Sequence, residues 1–295
     1  MSDPRRVRLR ELLGGERIVV APGAYDALGA RLIEQAGFDV VYMTGSGAAN
    51  SLLGQPDLGL TTMTEMANQA ARICAATALP VVADADTGYG GPLNVRRTVQ
   101  EYERAGVAGL HIEDQVFPKR CGHFEGKQVI PTEEMVGKIR AALAARTDPN
   151  LVIIARSDAA AVEGMDAALR RGHAYEDAGA DMLFIEAPRA VDDLRAIGRS
   201  FHVPLVANMV EGGATPLQPA AELEAMGFKL VLYAGALLRT AALAMQQTLD
   251  HLRATGSTIG IEGRLIGFEE RDRITDLDDM QAWADEFAPN PVRLG

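Results

Sequence analysis

Short apolar, β-branched runs recur along the chain, each followed by a polar or glycine-rich turn and then a helix-like stretch. The runs are RIVVA (17–21), DVVYM (39–43), LPVVA (79–83), AGLHI (108–112), LVIIA (151–155), DMLFI (181–185), VPLVA (203–207) and KLVLY (229–233). They are continuous rather than alternating, the pattern of parallel strands covered on both faces. Between them lie stretches such as AYDALGARLIEQAG (24–37), with apolar positions three and four apart and Gly37 where a helix ends. The same stop recurs at Gly106, Gly179 and Gly227. Eight strand–helix units in succession predict a TIM (β/α)8 barrel over 1–255. A doubly wound sheet is the alternative, but it needs a dinucleotide signal that the sequence lacks. The last stretch, 256–295, reads as a C-terminal helical extension, with the charged run EERDRITDLDD (269–279) and a short amphipathic helix after it.

In such a barrel the chemistry sits at the C-terminal ends of the strands. Polar residues end these runs one after another: Thr44-Gly45-Ser46-Gly47, Asp84-Ala85-Asp86, His111 with Glu113 and Asp114, Arg156-Ser157-Asp158, Glu186, and Asn208 with Glu211 beyond. A ring of this kind is hard to explain as surface. Carboxylates crowded at one pole call for a cation, and oxygen donors without a thiolate or histidine cluster favour Mg²⁺, with Mn²⁺ as the alternative. Asp86 is the expected direct ligand, with Asp84 and Glu113 acting directly or through water. The competing reading has Asp84 and Asp86 capping a helix or binding turn amides.

A second constellation, Lys119-Arg120-Cys121-Gly122-His123, stands in a long loop that runs to about Ile130. Cationic neighbours lower a thiol pKa towards neutrality, so Cys121 fits a proton donor to a carbanion. Cys74, in ANQAARICAA, reads as a small buried hydrophobe, and Met63, Met66 and Met165 as core. His111-x-Glu113 lacks the P-C-x-x-C of a zinc deaminase. Lys119 and Arg120 oppose a zinc site at His111, Cys121 and His123. Gly45-Ser46-Gly47 misses the last position of a dinucleotide motif but can cradle an anion through its amides.

Composition adds exclusions. Across 295 residues, 29 basic and 40 acidic side chains give a net charge of −11, without the clustered positive field that nucleic acid or an anionic membrane needs. No apolar run approaches the length of a bilayer span. The basic N-terminus lacks an apolar segment, and two cysteines make no disulfide framework. A cytoplasmic, reducing location is expected.

Together DADTGYG (84–90), HIEDQ (111–115), PKRCGH (118–123), ARSDA (155–159) and ANMVEGGATP (207–216) resemble the isocitrate lyase/phosphoenolpyruvate mutase superfamily over roughly residues 10–255. The K-[KR]-C-G-H loop is similar to that of its carbon–carbon lyases, which act on 2-methylisocitrate- or 2,3-dimethylmalate-like acids. The resemblance implies a Mg²⁺-dependent barrel and a homotetramer, a dimer of dimers, exchanging a C-terminal helix. It implies that Thr44, Gly45 and Ser46 hold the substrate's α-carboxylate end. Asp57, Asp84, Asp86 and Glu113 would order the metal and its waters at the substrate. Lys119, Arg156, Glu186 and Asn208 would contact substrate, with Cys121 as the acid and His123 beside it. Tyr42 is a candidate for taking the hydroxyl proton. Carboxyphosphonoenolpyruvate phosphonomutase looks similar too, which makes a P–C mutase the alternative activity. The stretch Asn208-Met209-Val210-Glu211-Gly212-Gly213 departs from the N-I-T-E-F-G of 2-methylisocitrate lyases, and Tyr233 is followed by Ala234-Gly235 rather than proline. A barrel that only binds an oxo acid is a third reading, against which the complete Asp84, Asp86, Glu113 and Cys121 set speaks.

Overall fold

The computed structural model describes residues 2–122 and 126–288. All eight expected strands are present: β1 (Val19–Ala24), β2 (Val41–Met43), β3 (Val81–Asp84), β4 (Gly109–Glu113), β5 (Val152–Ser157), β6 (Met182–Ile185), β7 (Leu205–Asn208) and β8 (Leu230–Tyr233). Every neighbour pairs in parallel, and β8 pairs back onto β1, closing an eight-stranded TIM barrel. The apolar runs begin one or two residues before most strands, because the first residues of each run enter the barrel before ladder hydrogen bonding starts.

Helices follow the strands: α1 (Pro4–Gly14), α2 (Ala27–Gln35), α3 (Gly45–Leu53), α4 (Met63–Ala76), α5 (Pro92–Ala105), α6 (Thr132–Ala145), α7 (Met165–Asp177), α8 (Val191–Ser200) and α9 (Ala220–Ala225). After β8 come α10 (Ala236–Thr255), α11 (Phe268–Ile274) and α12 (Leu277–Phe287). The predicted stops hold: Gly37, Gly106, Gly179 and Gly227 all have positive φ, which carries no Cβ penalty in glycine. The charged run 269–279 is itself largely helical, split between α11 and α12. The chain forms two compact units, Met1–Leu238 and Arg239–Gly295.

The period of two along the strands explains both the runs and the site. One set of strand residues, including Val41, Met43, Val81, Ala83, Leu110, Ile153, Leu183 and Val231, packs outward in the larger apolar cluster. The alternate set, including Val19, Ala21, Tyr42, Val82, Val152, Ile154, Met182, Phe184, Val206, Leu230 and Leu232, fills the barrel interior. Both faces are apolar, so nothing alternates in the sequence. Leu9 and Leu13 of α1 join the interior cluster and plug the barrel at its strand N-termini. Full burial of a leucine contributes about 2 kcal/mol, and Leu9 is wholly buried. Arg6, on the same helix, is fixed by Asp148 at 3.1 Å and by the Val107 and Glu103 carbonyls.

Candidate functional site

Continuing the interior set by two residues at the other end of each strand reaches the polar positions. Val82 leads to Asp84, Ile154 to Arg156, Phe184 to Glu186 and Val206 to Asn208. On β4 the inward positions are Gly109, His111 and Glu113, placed by the register pairs Val82↔Gly109, Asp84↔His111 and Glu113↔Arg156. The barrel thus gathers five strand ends into one buried polar layer, in which Asp84, Asp86, Glu113, Lys119, Arg156 and Glu186 are all at most 6% exposed.

The turn after β3 is held in an unusual conformation. Asp86 and Tyr89 have φ of 47° and 59°, a left-handed region costly for residues with a Cβ. The surroundings impose it: Asp84 Oδ1 accepts the Asp86 N–H at 2.9 Å, Tyr102 donates to the Asp84 carbonyl, Thr98 to that of Gly88 and Lys138 to that of Thr87. Part of the turn-amide reading of Asp84 therefore applies. The helix-capping reading does not, since the N-cap of α5 is Gly91 and no side chain caps it.

Thr44-Gly45-Ser46-Gly47 is the N-cap and first turn of α3, capped by Thr44 Oγ1 accepting the Gly47 N–H. Its amides still point from a helix N-terminus. Gly45 lies so close to Asp84 that a Cβ there would sit 2.2 Å from Oδ2.

Lys119 enters this layer from the loop after β4. Its ammonium is 2.6 Å from Asp57 Oδ1 and 2.6 Å from Asp86 Oδ1, and these carboxylates hold its pKa well above the ordinary value against the opposing effect of burial. Burial raises Asp86 to about 6, with Lys119 working against the rise. Glu113 is pushed well above the usual carboxylate range, chiefly by burial. Neither of its oxygens has a hydrogen-bond partner among the described residues, although Arg156 Nη1 is 3.3 Å from Oε2. Arg156 is buried beneath Asp158, Glu113 and Glu186 and lies over the Phe184 ring at 5.1 Å. Asn208 donates to Glu186 Oε2 at 3.2 Å. Ala187, just after Glu186, has a φ of 57°, a further strained residue beside the site.

Among the described residues no three histidine, cysteine or carboxylate side chains converge closely enough to hold an ion alone. The donor set nonetheless suits a hard divalent ion: buried carboxylate oxygens from Asp86, Glu113 and Asp84, with Glu113 left without hydrogen bonds.

Cys121 is half-buried, and its N–H donates to the Asp57 carbonyl at 3.2 Å. His123 lies outside the described residues. Tyr42 shares a 3.0 Å hydrogen bond with His111 Nε2. Burial pushes the Tyr42 hydroxyl well above its ordinary pKa and His111 down to about 4. Cys74 is buried, as is Met66, with Met63 and Met165 packed against the core. Two buried charges, Asp158 and Lys127, received no role from the sequence. Asp158 stands in the polar ring read from the sequence, without a part of its own; Lys127 carries no local signal.

This geometry gathers buried carboxylates, a lysine and an arginine at the mouth of a barrel. The phosphoenolpyruvate phosphomutase family model matches residues 9–253. The 2,3-dimethylmalate lyase of Eubacterium barkeri is 47% identical over 281 residues, 95% of this chain and 97% of that protein. The 2-methylisocitrate lyase of Shewanella oneidensis is 44% identical, covering 87% of this chain and 88% of its own. A crystal structure of 2,3-dimethylmalate lyase superposes with a TM-score of 0.92 at 39% identity, covering 100% of this chain and 99% of that one. The chain belongs to the phosphoenolpyruvate mutase/isocitrate lyase superfamily. Within it, the protein is a carbon–carbon lyase. Members of this superfamily generally use a divalent metal.

Proposed function

We propose that the protein cleaves a substituted 2-hydroxy di- or tricarboxylic acid, of the 2,3-dimethylmalate or 2-methylisocitrate kind, into a 2-oxo acid and a carboxylic acid, with Mg²⁺ bound. The carrying observation is the buried layer in which Asp86, Glu113, Lys119 and Arg156 meet below a half-buried Cys121. Asp84, Asp86 and Glu113, with Asp57 beside them, would hold Mg²⁺ or Mn²⁺. Such an ion supplies positive charge at the substrate's hydroxyl and carboxylate oxygens.

The chain's own residues account for the remaining steps. The amides of Gly45 and Ser46 at the α3 N-terminus receive the α-carboxylate beside the Thr44 side chain, the Thr44 N–H itself being donated to the Ala24 carbonyl. Lys119, Glu186 and Asn208 orient the substrate. The C2–C3 electron pair passes to C3 as the hydroxyl proton leaves and the C2 carbonyl forms. Negative charge spreads into the departing carboxylate, which the Arg156 guanidinium stabilises. Cys121 then delivers its proton to C3. Tyr42 stays a neutral hydroxyl at neutral pH, so it can relay the hydroxyl proton but is no phenolate base, and His111, pushed down to about 4, passes that proton on rather than keeping it.

The test offers purified protein with Mg²⁺ the substrates 2,3-dimethylmalate, 2-methylisocitrate, oxaloacetate and phosphonopyruvate, following 2-oxo acid release. Release from one of the two hydroxy acids is expected, abolished by EDTA and restored by Mg²⁺. Release from phosphonopyruvate alone would overturn the assignment in favour of the P–C mutase.

A cytoplasmic homotetramer completes the reading. The second unit exposes Leu249, Phe268, Trp283 and Phe287, each more than 60% accessible, as expected of a surface that other copies cover. Among the described residues no helix is long and apolar enough to cross a membrane. Light scattering should return the mass of four chains; a single-chain mass at micromolar concentration overturns this.

A further inference from the structure

Asp158 and Lys127 take part in no step above, yet both are buried, Asp158 completely. A buried charge without matched partners is expensive, so its partners indicate what it does. Asp158 Oδ2 accepts from Arg156 Nε at 2.9 Å, and Oδ1 accepts from Arg156 Nη2 at 3.1 Å and from Lys127 Nζ at 2.8 Å. The carboxylate is anchored from behind, because its own N–H donates to Asp114 Oδ1 at 2.8 Å. Asp114 is held in turn by the hydroxyls of Ser157 and Tyr175.

Lys127 also donates to the Gly122 carbonyl, at 2.5 Å. Gly122 adjoins Cys121 and packs directly on the site: a Cβ there would lie 2.5 Å from Arg156 Nη2 and 2.8 Å from Glu186 Cγ. The guanidinium therefore packs close to the backbone beside the thiol, and Asp158 reaches both, the first directly and the second through Lys127.

We propose that Asp158 and Lys127 are positioning residues: Asp158 orients the Arg156 guanidinium and, through Lys127, fixes the Gly122 carbonyl, so that one buried group sets both the stabilising cation and the proton-donating Cys121. Arg156 is locked bidentately on one side, leaving Nη1 towards Glu113. Lys127 has three donors, and two are spent joining Asp158 to Gly122. Cys121 is thereby tied on both sides, by Asp57 through its own N–H and by Lys127 through the next carbonyl. Misplacing a reacting group by about 1 Å costs about 100-fold in rate, so this tether matters to turnover. The effect on turnover rests on the lyase reading; the tether itself does not.

The experiment measures two quantities on the full-length protein. One is the rate at which iodoacetamide alkylates Cys121, located by mass spectrometry and separated from buried Cys74; the other is kcat and KM with the hydroxy acid cleaved by wild type. Lys127→Met should speed Cys121 alkylation about tenfold, as loss of a charged buried hydrogen bond loosens the segment. It should lower kcat about 100-fold with KM changed less than about threefold, because Lys127 does not touch substrate. Lys127→Arg should recover much of both. Asp158→Asn, the second variant should Lys127→Met not fold, should speed alkylation and also raise KM, since Arg156 loses its orientation. A Lys127→Met protein with wild-type circular dichroism and a wild-type alkylation rate would overturn the proposal, whatever its kcat. If wild type releases no 2-oxo acid, the lyase reading fails, while the alkylation rates still decide the tether.

Discussion

Cys121→Ser is expected to lower kcat by about 10²–10⁴-fold, the range that a single general acid contributes, while leaving the affinity for a 2-oxo acid unchanged. Serine keeps the size of the side chain but is a far weaker acid, so it cannot hand a proton to a carbanion within the lifetime of the bound intermediate. Binding should survive because the segment is placed by backbone contacts. The residue-121 N–H still reaches the Asp57 carbonyl at 3.2 Å, and Lys127 still holds the Gly122 carbonyl. The Asp57–Lys119–Asp86 ion pairs do not involve the thiol. Turnover assays paired with calorimetric titration of pyruvate in Mg²⁺ separate the two effects. Loss of pyruvate binding along with turnover would make Cys121 a structural residue.

Arg156→Met should cost about 3–5 kcal/mol of folding stability, the penalty for removing one partner of a buried ion pair, as well as activity. Its guanidinium is the shared counter-charge for Asp158, Glu113 and Glu186, at 2.9, 3.3 and 3.7 Å. The pH dependence follows from Asp158. Burial opposes its ionisation, but Arg156 and Lys127 outweigh burial and lower its pKa from 3.8 to about 2. A depressed carboxyl pKa contributes stability that is fully present above the unfolded value and lost as pH falls through the folded one. In the variant that contribution shrinks. The stability gap between wild type and Arg156→Met should therefore be widest at neutral pH and narrow as pH falls from about 4 towards 2. Urea unfolding at a series of pH values measures it; a gap below about 1 kcal/mol at pH 7, or one that widens in acid, contradicts the shared counter-charge.

Much of the fold was legible because its signals are local. A strand buried on both faces needs a continuous apolar run, and a helix that stops at a left-handed residue needs glycine, so β1 to β8 and the stops at Gly37, Gly106, Gly179 and Gly227 could be read directly. Asp84, Arg156, Glu186 and Asn208 were legible as a set because each ends such a run, and barrel closure carries that regularity into space. That Gly45-Ser46-Gly47 opens a helix was not legible. Two glycines in three residues lower helix propensity, and the Thr44 cap with burial of Ala48 and Ala49 outweighs them.

The sequence by itself determined the barrel, the end of it that bears the chemistry and the residue types gathered there, since strand period and chain direction are properties of consecutive residues. Only the tertiary structure decided the partners. It set the Lys119 ammonium between Asp57 and Asp86, left Glu113 without hydrogen bonds among the described residues, and joined Lys127 to Asp158 across 31 positions. The physical reason is that an ion pair depends on distance and burial. Barrel closure alone brings loops from different strands within 3 Å of one another, in a layer where water no longer screens their charges.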